Sequence, residues 1–391
     1  MVGLQRIMLV LVVFGAGRHS VQWNVFTNKE VIQMKLLLSI FVAGTTALGS
    51  VALSPAAFTS AQAVAQGLNE TFEAHPSTQD PSVKVTLETL ARWETELSNW
   101  GKWGPTDQRG TLNYITPQKT RAATRLVEDG VTVNLGHFIN EDDALDSGNF
   151  WPSEHQMTSV DPVTGKPRFA LDAVSFSLHD GQLAHMDALC HYSMPRNGQD
   201  VIFNGYPQNM TADGCVGDLA INDMGPGYVT RAILVDMPLL RGVDYLEPAT
   251  PIYVSDLEEW EDFAGVTVGP GDVLLVRAGR WARREALGPW RYDRGGAGLH
   301  ASVLPWLKER GVALLVGDAV NDVQPSGVAG IGRPVHTLTQ VILGLPLVDN
   351  GYLEDAAREA AARQRWEFMI SWQISAVPNG TASPFNAIGT F

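Results

Sequence analysis

Cysteine is nearly absent from this chain of 391 residues, basic charge is in deficit, and no apolar run is both long and unbroken. With only Cys190 and Cys215 present, no framework of disulfides can organise the fold, and whether these two pair depends on a distance that sequence does not supply. Lys and Arg number 28 against 42 Asp and Glu, a net charge of -14 with no Lys/Arg-rich stripe, so a nucleic-acid backbone would be repelled and that class of partner is excluded. Residues 36–53 come closest to a membrane span, but Gly44, Thr45, Thr46, Gly49 and Ser50 interrupt them; roughly 20 mainly apolar residues are needed. There is no internal repeat, no low-complexity tract and no Gly-x-Ser-x-Gly turn to present a nucleophilic serine. A content of 45% hydrophobic and 18% charged residues supplies enough apolar material for a large globular core.

The N-terminus has the order of an export signal. Met34 and Lys35 precede an apolar stretch at 36–43, and Ala61-Gln62-Ala63 follows as a small-x-small cleavage pattern. Residues 1–63 therefore read as an upstream segment and signal peptide, and the expected product is periplasmic or secreted, off the membrane after cleavage. Residues 64–84 are polar, carry Pro76 and Pro81, and read as a linker; 85–391 read as one domain.

In that domain a helix is predicted over 87–100 and another over 117–129, with Thr116 as N-cap, Pro117 at the first helical position and Gly130 as the stop. Runs rich in Val, Ile and Leu at 131–135, 173–178, 232–235, 273–276 and 313–316 read as sheet interiors. Further helices are expected at 255–263, with a Ser255/Glu258 capping box, and at 301–310, 337–343 and 355–365. The mixture predicts an α/β (mixed α+β) fold.

Chemistry concentrates in His185-Met186-Asp187-Ala188-Leu189-Cys190-His191. Residues two apart on a strand share a face, so His185 and Asp187 aim at one point, and His191 returns to it whether the chain stays extended or turns helical. Two imidazoles and a carboxylate suit a divalent metal, zinc or manganese, with a water activated near neutral pH. The same groups also fit a hydrogen-bonded His/Asp pair supporting a core. Cys190 reads as a small buried residue or a soft ligand.

With Phe176 to Ala184 upstream, this stretch resembles the hallmark His-x-Gly-Thr-His-x-Asp-x-Pro-x-His of the cyclase family of metal-dependent hydrolases, which includes bacterial kynurenine formamidase and isatin hydrolase. It matches at His185, Asp187 and His191 and departs at Gly181, where the family has its first His, at Ala184 for Thr and at Leu189 for Pro. His179 could substitute if the loop bulges, although two residues of strand amount to about 6–7 Å. Residues 100–113, 271–281 and 383–388 are similar to other parts of the family, so the resemblance runs over about 95–391. It implies a swivelling β/β/α domain, a homodimer or homotetramer, and a metal shell completed by His336 and Asp349, the latter standing where the family has Glu.

The resemblance thus assigns metal ligation to His185, Asp187, His336 and Asp349, and general acid/base work to His191, whose imidazole would titrate near 6.5. The implied reaction is hydrolysis of an amide, lactam or lactone bond in a small molecule, arylformamidase-like. From position alone, His300 before a helix, Asp318 at a strand end, and Trp103 and Trp151 as an apolar wall are candidate substrate contacts. Each also has a plainer role, as a first-turn histidine, a cap or a core aromatic. Two rival readings stand beside hydrolysis: an exported ligand-binding protein without turnover, suggested by Gly181, and a metal-dependent cyclase or dehydratase.

Overall fold

The runs Val273–Arg277 and Leu314–Gly317 are buried along their whole length, as continuous apolar strands must be when both faces of a sheet are covered. In this computed structural model the described residues are 80, 82–137, 146, 153–157, 159, 161, 163–166, 171–179, 181 and 183–391, with the backbone of Ile7–Val10 and Trp23–Phe26. The chain divides into two units, 1–58 and 59–391. In the first, Ile7–Val10 and Trp23–Phe26 pair antiparallel. The expected signal sequence, its cleavage site and most of the linker lie outside the described residues. No helix among the described residues is long and apolar enough to cross a membrane.

The second unit is a mixed α/β structure built on a nine-stranded sheet. Its strands are β1 (Thr132–Asn134), β2 (His185–Asp187), β3 (Gly227–Asp236), β4 (Val273–Arg277), β5 (Leu314–Gly317), β6 (Leu347–Asp349), β7 (Glu367–Gln373), β8 (Ala382–Pro384) and β9 (Ile388–Thr390). Across the sheet the order is β8–β2–β6–β5–β4–β3–β7–β9–β1. The four central strands from β3 to β6 are parallel, and every pairing outside them is antiparallel. Helices Val254–Ala264 and Leu304–Arg310 bury Leu257 and Trp260, and Leu304, Trp306 and Leu307.

Several predicted elements shift. The first helix stops at Glu96, and the second is Pro117–Ala123 followed by a 3-10 turn, with Thr116 Oγ1 accepting from Lys119 N as a cap should. Residues 173–178 are not a sheet interior. Among the described residues Asp172–Ser175 pairs with Glu154–Met157 alone, and all four of its residues are exposed. The capping box sits two residues earlier than expected: the helix starts at Val254, and Asp256 accepts the Tyr253 N–H at 2.7 Å. In place of one helix at 337–343 there is an α-helical turn, Pro334–Leu338, running into a π-helical one, Thr339–Leu343.

That π turn ends with carbonyls that lack helical partners, and residues 99–111 supply donors to them. Asn99 Nδ2 donates to Leu343 O (2.9 Å), Trp100 Nε1 to Val341 O (2.7 Å) and Thr111 N to Gly344 O (2.8 Å). Gly110 must be glycine here. Its φ is +55°, and a Cβ would lie 1.9 Å from Gly344 O.

Candidate metal centre

Strand β2 lies between β8 and β6, which places Asp349 opposite His185 and Ala382 opposite Asp187. His185 and Asp187 alternate onto one face of the strand, and the cross-strand partner of His185 faces the same way. One face of the sheet edge therefore carries two carboxylates and an imidazole.

Around Asp187 stand three imidazoles. His179 Nδ1 is 3.6 Å and His185 Nε2 3.7 Å from Oδ1, and His191 Nε2 is 3.9 Å from Oδ2. His185 Nδ1 donates to Leu183 O at 2.8 Å, which leaves the Nε2 lone pair facing the carboxylate. His179 turns its Nε2 to Thr381 Oγ1 at 3.1 Å and stacks on His191 with ring centroids 4.1 Å apart. Gln340, placed by the π turn, donates to Asp187 Oδ2 at 2.8 Å. Asp187 Oδ1 is buried and has no hydrogen-bond partner among the described residues. A buried, unmatched carboxylate oxygen is costly, and donor atoms held at about 2.0–2.2 Å by one cation stand roughly 3–4 Å from each other. The donor set fits a divalent ion. His179, Asp187 and His191 each offer a ligand atom within 4.8 Å of the others.

Burial lowers both His179 and His191 to about 3, and the neighbouring imidazoles push the same way. Both rings are thus neutral at physiological pH, with lone pairs available. The value near 6.5 expected for His191 does not hold, because its ring is removed from water and faces His185 and His336.

A second constellation adjoins the first. Asp322 accepts the N–H groups of Val335 (2.6 Å) and His336 (3.1 Å) and pairs with His336 Nδ1 at 2.5 Å. His336 Nε2 meets Asp349 Oδ2 at 3.2 Å, and Asn321 donates to Asp349 Oδ1 through its backbone N (3.2 Å) and its side chain (2.7 Å). Burial alone would lower His336, but Asp349, Tyr192 and Asp322 outweigh it and hold the imidazole well above its ordinary value. Burial raises Asp349, and the His336 charge reverses this and keeps it well below the usual carboxylate range.

The loop before β2 is anchored from behind. Arg280, buried and stacked between Trp281 and Tyr292, donates to Gly181 O, to Asn350 Oδ1 (2.6 Å) and to Asp146 Oδ2 (3.0 Å). Asn350 Nδ2 reaches Leu183 O at 3.2 Å. Gly181 therefore contributes a carbonyl where the family pattern has a His, and the loop brings His179 to the carboxylate. On the other side Cys190 and Cys215, both buried, form a disulfide next to His191. Cys190 is thus neither a free buried thiol nor a soft ligand.

Other sequence candidates have different surroundings. Asp318 accepts the N–H groups of Ala278, Gly279 and Arg280, so its buried carboxylate caps the turn after β4. His300 Nδ1 accepts from Ser302 N at 3.2 Å, and the ring lines a cleft of about 270 Å³ with Tyr253 and Ser326, whose lining includes no residue of the cluster. Trp103 packs edge-on against Tyr114, with centroids 5.2 Å apart. Trp151 lies outside the described residues. Sequence reading missed Gln340, Asn321 and Asp322. The rule that places sites at strand ends pointed to Asp318, whereas the side chains that reach the cluster come three and four residues later.

This fold is similar to that of cyclase-family proteins. Residues 133–321 match the family model described as "Putative cyclase", a span that includes His185, Asp187 and His191 and ends before His336. The crystal structure of a novel cyclase is 28% identical with a TM-score of 0.65, over 76% of this chain and 99% of that one. Isatin hydrolase A from Ralstonia solanacearum is 18% identical with a TM-score of 0.48, over 70% and 97% of the two chains. No curated protein matches the chain.

Proposed function

We propose that this domain is a metal-dependent hydrolase that opens an amide, lactam or lactone bond in a small molecule. The observation that carries the reading is the buried, partnerless Oδ1 of Asp187 with His179 Nδ1 and His185 Nε2 turned toward it. These three side chains would hold the ion, zinc or manganese, with the His336–Asp349 pair alongside. A divalent cation at that point supplies Lewis acidity, polarising a carbonyl and bringing the pKa of a water from about 15.7 toward 7.

The chain's own groups do the rest. Gln340 fixes the Oδ2 edge of Asp187 by its hydrogen bond, so the carboxylate keeps Oδ1 turned to the imidazoles. His191 faces that Oδ2 edge and moves the proton. Its pKa lowered to about 3 keeps the ring neutral at rest, so its lone pair would take the proton of the attacking water, and the strongly acidic imidazolium so formed would pass that proton to the leaving nitrogen or oxygen. The reading without turnover rested on Gly181, and the approach of His179 to Asp187 supports the hydrolase reading over it.

Export is part of the proposal. The charge, apolar and cleavage order at 34–63 supports it, and so does the Cys190–Cys215 disulfide, since such bonds persist in oxidising compartments. A homodimer or homotetramer is proposed from the family resemblance.

The test is metal analysis of the purified protein together with turnover of lactones, isatin and aryl formamides in water carrying labelled oxygen. Stoichiometric zinc or manganese, label in the product, and loss of both metal and turnover in Asp187→Asn are expected. Turnover without label would point to the cyclase or dehydratase chemistry. Full metal content and full activity in Asp187→Asn would overturn the reading.

A further inference from the structure

Arg333 stands at the edge of the cluster without a directly paired carboxylate among the described residues. Its guanidinium makes one hydrogen bond among the described residues, from Nη1 to the Tyr192 hydroxyl at 3.3 Å, and no ion pair. The nearby carboxylates are otherwise engaged. Asp322 is taken by two backbone N–H groups and His336, and Asp349 by Asn321 and His336. Tyr192 borders the site on two sides, its ring 5.0 Å from that of His191 and 5.2 Å from that of His336. Arg333 is close enough for its charge to act on both Asp349 and His191.

Asp349 and Asp322 support the Arg333 charge through space, but neither pairs with it directly, so the guanidinium keeps its donors for a further acid. Its planar fork matches a carboxylate with two parallel hydrogen bonds, which an ammonium cannot do. Tyr192 holds one arm of the fork and leaves the remaining donors open. We propose that Arg333, oriented by Tyr192, is the carboxylate-recognising residue of this site. The inference rests on the hydrolase reading for its context, since opening an amide or lactone yields a carboxylate, and a substrate can also carry one from the start.

The experiment uses calorimetric titration of the full protein, as purified and after zinc loading, with benzoate and with its neutral counterpart benzamide. Wild type is expected to prefer benzoate in both forms. Arg333→Met should weaken benzoate by about 10- to 100-fold, the loss of a charge-assisted hydrogen-bond pair, and leave benzamide unchanged. Arg333→Lys should recover part of the loss, and Tyr192→Phe should cost a few-fold through poorer orientation. Kinetics separate the two sources of the carboxylate. A KM increase for 2-formamidobenzoate but not for formanilide marks a carboxylate carried by the substrate, and weaker product inhibition alone marks the one formed. Equal binding of benzoate and benzamide by wild type, or unchanged benzoate affinity in Arg333→Met, would overturn the proposal. Selective benzoate binding in a protein that hydrolyses nothing would leave Arg333 in place and remove the hydrolase.

Discussion

His179 Nδ1 stands 3.6 Å from Asp187 Oδ1, although the two residues belong to different local patterns in the chain. The approach sets the number of imidazoles facing that oxygen at two. His179→Ala is expected to weaken zinc or manganese binding by about 10- to 100-fold or more, while the sheet stays folded because the ring lies at its partly exposed edge. Equilibrium dialysis against a competing chelator reads the affinity. An unchanged affinity would show that His179 does not hold the ion.

The same ring sets a pH dependence. Burial holds His179 and His191 at about 3, against an ordinary value of 6.5. Between those two values the unfolded chain binds more protons, so the stability linked to these rings is complete above 6.5 and lost as pH falls toward 3. His336 acts in the opposite sense. Its contribution is present below 6.5 and lost as pH rises through its raised value. For ion-free protein, the Tm difference between His179→Gln and wild type is expected to be constant above about pH 7. From there toward about pH 4 wild type should fall more steeply. Parallel curves across that window would show that His179 titrates as an exposed imidazole does.

Asp322 serves backbone and side chain at once, accepting from Val335 N, His336 N and His336 Nδ1. Asp322→Asn turns an amide N–H₂ toward one of these donors and removes the charge that stabilises the imidazolium. Breaking a buried pair this way costs about 3–5 kcal/mol, which a denaturant titration resolves easily. A loss below about 1 kcal/mol would mean that His336 is not charged in the folded protein.

The disulfide closes a loop with a sequence separation of 25 residues, for which chain entropy gives about 3 kcal/mol. The Cys190→Ser/Cys215→Ser double variant is therefore expected to unfold at lower denaturant and to bind metal more weakly, because the turn that presents His191 loses its anchor. Wild-type values for both would assign the bond no role in the site.

The sequence shows β4 and β5 plainly as buried strands, because they are unbroken apolar runs, whereas their parallel pairing is seen only in the structure. His185 and Asp187 are legible for a similar reason, since strand alternation alone puts them together. What stayed hidden depends on distance. His179 arrives through a turn whose shape depends on Arg280 holding Gly181 O, a contact across 99 positions. Gln340 reaches Asp187 only because the helix widens into a π turn after Leu338, and 3.6-residue periodicity does not foresee that. Asp172–Ser175 carries apolar Ala173 and Val174 yet lies exposed, where pattern alone suggests core.

Strand β2 takes both of its neighbours, β6 and β8, from the last 45 residues of the chain. During synthesis, His185 and Asp187 leave the ribosome long before the segments that hold them in register. Such distant pairing is slow to form, so the proposed ion pocket is expected to be among the last features to assemble. A nascent chain would present those side chains separately, with little power to capture a cation before the rest of the domain is complete.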